Sequence, residues 1–174
     1  MPNTPHAKSD RNLRLALLDS FKKSIRIGIF GSFYNSRKDD LIQLRDYLRK
    51  SGYTQARISE DLDERSEEER QIDTPIINRN LSIQLINESD IHIFILCMRK
   101  ESEPPNLIQS VSMELERICT LREIGILNAN YVGVYTEKQL LETGGGVFKG
   151  LVMTMANDWV IEEFEDIQFR IRTL

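Results

Sequence analysis

The sequence predicts an α/β fold of the flavodoxin-like or Rossmann-like kind, a three-layer sandwich with a mostly parallel five-stranded sheet. Short apolar runs rich in β-branched residues alternate along the chain with longer amphipathic segments. The run "IHIFILC" at residues 91–97 is almost entirely apolar, as a central parallel strand covered on both faces requires. An earlier apolar run stops at a Gly-Ser loop and leads directly into a helical pattern, which is typical of a strand-to-helix turn in this class.

The first half of the chain contains the alternating helices and strands that an α/β fold needs. Residues 1–10 contain two prolines and several polar residues, so we expect a disordered tail, followed by a single α/β domain at residues 11–174. A helical pattern at residues 13–23 precedes a strand at 25–30, a helix at 37–50 and a short strand at 55–59. The charged stretch at residues 60–73 is interpreted as a solvated loop or an exposed helix. A helix with Pro75 in its first turn is predicted at residues 75–88, before the strand at 91–97.

The second half continues the alternation. After a proline-containing loop at residues 98–106, a helix is predicted to about residue 126, and a strand follows at 131–135. Three glycines at 144–146 interrupt the chain before a helix at 147–156, a short strand at 159–161 and an acidic terminal helix. Ligands bind outside the carboxyl ends of the strands in such sheets, so a site is expected in the loops that follow them.

The composition and charge of the chain disfavour some classes of function and partner. A chain of 174 residues with 40% hydrophobic and 29% charged residues suits one domain with a proper core. The net charge of -4 disfavours a nucleic-acid polymer as partner, and no apolar run approaches the about 20 residues of a membrane helix. We therefore expect a cytoplasmic protein without a membrane partner. Cys97 and Cys119 lie in apolar settings and are expected to be buried, reduced thiols, and no metal or other cofactor is expected.

The first candidate site is the stretch "GIFGSFYNSRKDD" at residues 28–40. A strand enters a loop at Gly31 and Ser32, and a helix begins a few residues later. Backbone N–H groups and the helix dipole favour an anion at such a turn. Ser36 and the bidentate guanidinium of Arg37 add hydrogen-bond donors. The stretch is neither a GxGxxG nor a Walker A loop, and the alternative is a plain strand-to-helix turn capped by Ser36.

The second candidate site is "SVSMELERI" at residues 110–118. On a helical wheel of about 100° per residue, Glu114 shares a strip with Ile118, whereas Glu116 falls on the opposite side. Glu114 is therefore expected to face inward near a helix start, where the dipole favours the ionised form that a nucleophile needs. It is not a capping-box glutamate, because the residue three before it is Val111. The alternative is an interior glutamate held by an arginine or by backbone amides.

These segments together resemble the nucleoside 2-deoxyribosyltransferase-like superfamily, and within it the 2'-deoxynucleoside 5'-phosphate N-hydrolases. The likeness covers residues 25–135. "IGIFGSFYNSRKDDLIQLRDYLRKSGY" is similar to the first strand, phosphate loop and first helix of that family. "LIQSVSMELERICTLREIGI" is similar to the segment with the catalytic glutamate, which the resemblance places at Glu114. "INESDIHIFIL" is similar to the preceding strand, with Asp90 at the family's aspartate.

The resemblance implies that Glu114 attacks or stabilises the anomeric carbon of a nucleoside or nucleotide while the base leaves. It also implies a homo-oligomer, such as a dimer. Another aspartate of the family falls on Ser82 in this sequence, and serines replace glycines around the glutamate. The substrate-binding residues that it suggests are Gly31, Ser32, Phe33, Tyr34, Ser36, Arg37, Ser82, Asp90, Ser110 and Ser112.

A second resemblance concerns the stretch "SDIHIFILCMRKESEPPNLIQSVSMELERI", which is similar to Toll/interleukin-1 receptor (TIR) domains. In the enzymatic members of that family, the matching glutamate cleaves the glycosidic bond of NAD. Three functions follow from the sequence: an N-glycosidase or transferase, a nucleotide sensor that lost catalysis with the aspartate, and a TIR-like NAD-cleaving or signalling domain that self-associates. Both resemblances put an N-glycosidic carbon next to Glu114.

Overall fold

The structure is a computed structural model that describes residues 5–33, 36–70, 75–97, 109–127, 131–143, 145–155 and 160–161. In the first half of the chain the elements are α1 (Pro5–Ser24), β1 (Arg26–Phe30), α2 (Ser36–Lys50), β2 (Gln55–Arg57), a 3-10 turn (Ser59–Leu62), α3 (Glu67–Arg70), α4 (Pro75–Glu88) and β3 (Ile91–Leu96). In the second half they are α5 (Gln109–Glu123), β4 (Tyr131–Glu137), α6 (Lys138–Thr143), α7 (Gly146–Met155) and β5 (Val160–Ile161).

The strands form a parallel sheet in the order β2-β1-β3-β4-β5. This 2-1-3-4-5 order is that of doubly wound, flavodoxin-like sheets. The α/β class and the parallel sheet flanked by helices are confirmed, and the fold is compatible with the Rossmann-like class. The predicted count of five strands needs a correction. Four strands of three to seven residues make up the sheet, and β5 is only a two-residue pairing with the end of β4.

Each face of the sheet has its own hydrophobic core, because successive residues of a strand point to opposite faces. On one face, Ile29 of β1 packs with Leu41 and Leu44 of α2. On the other face, Phe30 and Phe94 stack with ring centroids 4.7 Å apart, in the cluster that also holds the apolar strips of α4 and α5. These two clusters make the molecule a three-layer structure with its sheet in the middle.

Several boundaries differ from the sequence-based expectations. The first helix begins at Pro5, so a disordered tail through residue 10 is wrong from residue 5 onward. A proline fits the first turn of a helix, where its missing N–H donor is not needed. β3 ends at Leu96, which leaves Cys97 outside the strand and half-buried, whereas Cys119 is buried as expected. The helix α6 was not predicted, because it follows β4 directly with no turn residue between them.

Other predictions from the sequence agree with the structure, and some concern residues that the structure does not describe. The boundaries of α4 agree with the prediction, and the charged stretch holds the 3-10 turn and the short helix α3. The loop at 98–106 and the acidic terminal segment lie outside the described residues. None of the helices in the part of the chain that the structure describes is long and apolar enough to cross a bilayer.

Candidate active site

A small cleft lies at the carboxyl ends of β1 and β3, where ligands bind in sheets of this kind. Its volume is about 20 Å³, which is room for about one water molecule. Side chains from the loop after β1, the first turns of α2, the end of β3 and the first turn of α5 line it. They are Ser32, Arg37, Asp40, Leu41, Ile95, Leu96, Cys97 and Val111.

Gly31 lets the loop after β1 lie close to its neighbours. A Cβ atom at this position would lie 2.6 Å from Cδ2 of Leu41 and 3.4 Å from the carbonyl oxygen of Ile95. The first distance is shorter than any normal carbon contact, so a larger residue would push the loop away from α2. The glycine therefore holds Ser32 at the wall of the cleft.

Arg37 and Asp40 form a second wall of the cleft. They lie three residues apart in the first turns of α2, so their side chains share one face of that helix. Both are half-buried. The N-terminus of α2 and the guanidinium of Arg37 favour an anion here, whereas the carboxylate of Asp40 limits how much negative charge the cleft accepts.

Glu114 faces α4 from the second turn of α5. The hydroxyl of Ser82, 32 residues earlier on α4, donates a hydrogen bond to its Oε1 atom. Burial raises the pKa of Glu114 to about 7, although the hydrogen bond from Ser82 acts in the opposite direction. This direction is opposite to the sequence-based prediction that the helix N-terminus favours the ionised carboxylate. Because Glu114 is the sixth residue of α5, it lies beyond the first turn in which the dipole acts, and burial determines the direction of the shift.

The helix α5 connects the Ser82–Glu114 pair to the cleft, although neither Ser82 nor Glu114 lines the cleft. Val111, which lines the cleft, lies three residues before Glu114 and therefore about one helical turn away. The exposed position predicted for Glu116 is confirmed. The loop after β1, the end of β3 and the start of α5 thus meet on the side of the molecule where Glu114 lies.

Asp90 lies at the opposite edge of the sheet, next to the amino ends of β1 and β3. Its carboxylate accepts hydrogen bonds from Nε of Arg26 at 2.9 Å, from the guanidinium NH2 at 2.6 Å and from the Arg26 backbone N–H at 3.0 Å. These hydrogen bonds lower the pKa of Asp90. The position of Asp90, away from the cleft, gives it a structural role that joins two strands.

The remaining residues suggested by the resemblance are spread over the molecule. Phe33 is half-buried and packs against the core on the α2 side of the sheet. Ser110 is exposed in the first turn of α5, and Ser112 lines a separate groove between α5 and α7. Ser36 begins α2, but its side chain lies outside the described residues, as does all of Tyr34.

Sequence reasoning missed Asp40 and Cys97 as cleft residues. The apolar pattern places Cys97 within the strand, whereas in the structure it directly follows β3 at the carboxyl edge. The position immediately after an apolar parallel strand is itself a signal for a site residue in this class. Asp40 carried a weaker signal, because only its spacing from Arg37 places it on the same helix face.

The chain has the same fold as two solved structures of very different sequence. One is the CMP N-glycosidase BcmB of Clostridium botulinum, with a TM-score of 0.53 and 13% identity over 85% of this chain and 98% of that one. The other is a conserved protein of Enterococcus faecalis V583, with a TM-score of 0.55 and 12% identity over 86% and 98% of the two chains. No protein-family model and no curated protein matches the sequence. One of these two structures is a CMP N-glycosidase, which agrees with the resemblance to the nucleoside 2-deoxyribosyltransferase-like superfamily. Neither structure supports the resemblance to TIR domains.

Proposed function

We propose that this chain cleaves an N-glycosidic bond of a nucleoside or nucleotide, by hydrolysis or by transfer, with Glu114 acting at the anomeric carbon. The half-buried Ser82–Glu114 pair carries the proposal, since Glu114 is a carboxyl group with a pKa raised to about 7 near the carboxyl edge of the sheet. The fold shared with a CMP N-glycosidase supports the choice of reaction. That likeness concerns the fold alone, and the chemistry is argued from Glu114.

The proposed reaction breaks the bond between the anomeric carbon and the base nitrogen. The base leaves with the electron pair of that bond and takes up a proton, and positive charge develops on the sugar. The ionised carboxylate of Glu114 stabilises this charge or forms an ester with the anomeric carbon. Water or a second base then adds to the carbon and releases Glu114. Because the pKa of Glu114 is about 7, a substantial fraction is ionised at neutral pH.

The proposed substrate contacts lie in the loop after β1 and the first turns of α2. Ser32 and Arg37 line the cleft at a helix N-terminus, which suits a phosphate or another anionic group. The cleft has room for about one water molecule, so we expect the side chain of Arg37 to move when a nucleotide binds.

A nucleotide sensor without catalysis is the second candidate. The observation in its favour is Ser82, a hydroxyl that stands where the resemblance expects a carboxylate and contacts Glu114 directly. A sensor would bind CMP or a related nucleotide in calorimetry, more weakly after Arg37→Ala, and would release no base. Steady release of base by the wild-type protein contradicts this candidate.

The two candidates are separated by incubating the purified protein with a panel of substrates. The panel contains deoxynucleosides, their 5'-monophosphates, ribonucleotides including CMP, and NAD, and chromatography detects free base or nicotinamide. We expect release by the wild type and by Glu116→Gln, and none by Glu114→Gln. Glu116 is the matched control, because it is a glutamate on the exposed side of the same helix. Equal turnover by Glu114→Gln would disprove the proposed role of Glu114.

A further inference from the structure

The hydroxyl of Ser82 makes an unusual hydrogen bond for a serine inside a helix. Such a serine commonly donates to the backbone carbonyl oxygen four residues earlier. Ser89, which directly follows the last residue of α4, does so, since its hydroxyl donates to the carbonyl oxygen of Leu85 at 2.7 Å. Ser82 lies in the middle of α4 and donates instead to Oε1 of Glu114 on α5. The hydrogen of this hydroxyl is therefore directed at a carboxyl group that can accept it as a proton.

The packing of α4 against α5 brings the two side chains together. Leu85 and Ile86, three and four residues after Ser82, are buried in the same hydrophobic cluster as Leu115 and Ile118 of α5. Residues at these spacings share one face of a helix, so Ser82 lies on the face of α4 that packs in this core. The contact between Ser82 and Glu114 is thus set by two packed helices.

Ser82 and Glu114 have the arrangement of a nucleophile beside its base. A hydroxyl is a weak nucleophile by itself, and it becomes reactive when a base within hydrogen-bond distance accepts its proton during the attack. A base works best when its pKa lies near the operating pH, and burial raises the pKa of Glu114 to about 7. The same burial reduces the contact of the carboxyl group with water. Among the described residues, Ser82 carries the hydroxyl that hydrogen-bonds Glu114.

The position of Ser82 fixes the side from which it reaches a bound sugar. Reacting atoms approach to about 3–3.5 Å before a bond forms, so the proposed reaction holds Glu114 at about this distance from the anomeric carbon. The hydroxyl of Ser82 lies one hydrogen bond from the carboxylate and thus on the same face of the sugar, opposite the leaving base. An ester between Glu114 and the sugar would block that face. Ser82 therefore attacks while positive charge develops on the sugar, before an ester forms.

We propose that Ser82 is itself an acceptor of the sugar, so that the protein glycosylates its own chain at this residue; the inference rests on the proposed function. The Oγ atom of Ser82 forms a bond to the anomeric carbon while the bond between that carbon and the base nitrogen breaks. The proton of the hydroxyl passes to the carboxylate of Glu114. The base leaves with the electron pair of the broken bond and takes up a proton. One sugar is transferred from a nucleoside or nucleotide, and no water is consumed.

The product of this step differs from the ester that Glu114 forms. A sugar joined through its anomeric carbon to a serine oxygen is an acetal, which resists nucleophiles that cleave an ester. The sugar also fills the space beside Glu114, so a modified chain cannot hold a second substrate there. Transfer to Ser82 competes with transfer to water or to a second base, and it therefore limits the number of turnovers of each chain.

Mass spectrometry of the intact full chain tests the transfer. The protein is incubated with each member of the substrate panel, including CMP and NAD, and the release of base is followed in the same samples. We expect the wild type to gain the mass of one substrate less its free base. Ser82→Ala should still release base, although more slowly, and should gain no mass, and Glu114→Gln should do neither. Ser20→Ala, which removes an exposed hydroxyl on α1, is the matched control and should gain the same mass as the wild type.

Digestion with trypsin and treatment with neutral hydroxylamine locate the sugar. Trypsin separates Ser82, in the peptide 80–99, from Glu114, in the peptide 101–117. We expect the sugar on Ser82 and unchanged by hydroxylamine, which removes a sugar held by Glu114 as an ester. Base release without a sugar on Ser82, a sugar on Glu114 alone, or an equal gain of mass by Ser82→Ala would overturn this inference and leave the proposed function intact. The absence of base release from every substrate would overturn both.

Discussion

Asp90 and Glu114 are carboxyl groups near opposite edges of the same sheet, and their surroundings differ in hydrogen-bond partner and in depth. Asp90 accepts three hydrogen bonds from a single arginine, which lower its pKa. Glu114 is more deeply placed and has a serine hydroxyl as its hydrogen-bond partner, and burial raises its pKa to about 7. A carboxylate with a cation beside it is stable and inert, whereas a half-buried one whose partner among the described residues is a hydroxyl titrates where chemistry at neutral pH can use it.

Asp90 and Glu114 also differ in what they contribute to the stability of the fold. The hydrogen bonds of Asp90 join the first residue of β1 to the residue before β3, so this carboxylate contributes to holding two strands in register. Ionising Glu114 in its partly desolvated position lowers the free energy of unfolding. Groups that weaken the fold in this way are common at functional sites, because selection retains them for another reason than stability.

The largest expected effect is the loss of the proposed glycosidase activity in Glu114→Gln. The amide has nearly the same shape but cannot form an ester or balance positive charge on the sugar, so we expect kcat to fall by on the order of 10³-fold. Single-turnover assays with the best substrate of the panel measure the effect. Circular dichroism should show an unchanged fold, and a loss that accompanies unfolding would not count as support.

The same variant should change how stability depends on pH. The folded state keeps its proton on Glu114 up to about pH 7, while the unfolded chain loses it near 4.5, so the wild type loses stability as pH rises between these values. At 1.36 kcal/mol per unit, the gap between 4.5 and 7 corresponds to about 3 kcal/mol. Urea unfolding at pH 4 and pH 8 should therefore show Glu114→Gln gaining about 3 kcal/mol on the wild type. The same gain in Glu116→Gln would assign the effect to overall charge.

A smaller effect is expected from Ser82→Ala. The hydroxyl stabilises the ionised carboxylate, so its removal should raise the pKa of Glu114 further and reduce the ionised fraction at pH 7. We expect kcat/KM at pH 7 to fall about tenfold, as for one hydrogen bond to a charged group, and the acidic limb of the pH profile to move to higher pH. Gln84→Ala, an exposed position on the same helix, is the control. A uniform decrease at every pH would show that Ser82 does not act on the ionisation of Glu114.

The smallest expected effect is that of Asp90→Asn. Because the pKa of Asp90 is lowered in the folded state, its contribution to stability is present above the ordinary value of 3.8 and is lost as pH falls through the folded pKa. The side chain of Arg26 is 52% exposed, so solvent screening limits the loss at pH 7 to about 1 kcal/mol. Urea unfolding measures it, and base release should stay unchanged. A loss of activity in the folded variant would return Asp90 to the list of site residues.

Much of the fold was predictable from short stretches of sequence. The nearly continuous apolar run of β3 and the periodic pattern of α4 identified both elements, because burial on two faces or on one strip leaves a local trace. The inward position of Glu114 and the outward position of Glu116 followed from their angular separation on one helix. The start of α1 was less predictable, since a proline near a terminus suits a loop and a first helical turn equally well.

The sequence by itself thus determined the α/β class, the parallel sheet and the helix face on which Glu114 lies, because each depends on residues that are neighbours along the chain. Only the tertiary structure decided that Ser82 contacts Glu114, which lies 32 positions later in the chain, that Asp90 pairs with Arg26, and that Asp40 and Cys97 line one cleft. It also decided the direction of the pKa shift of Glu114. That direction depends on how much water and how many cations surround the carboxyl group, and these are set by the packing of α4 against α5 rather than by any local pattern.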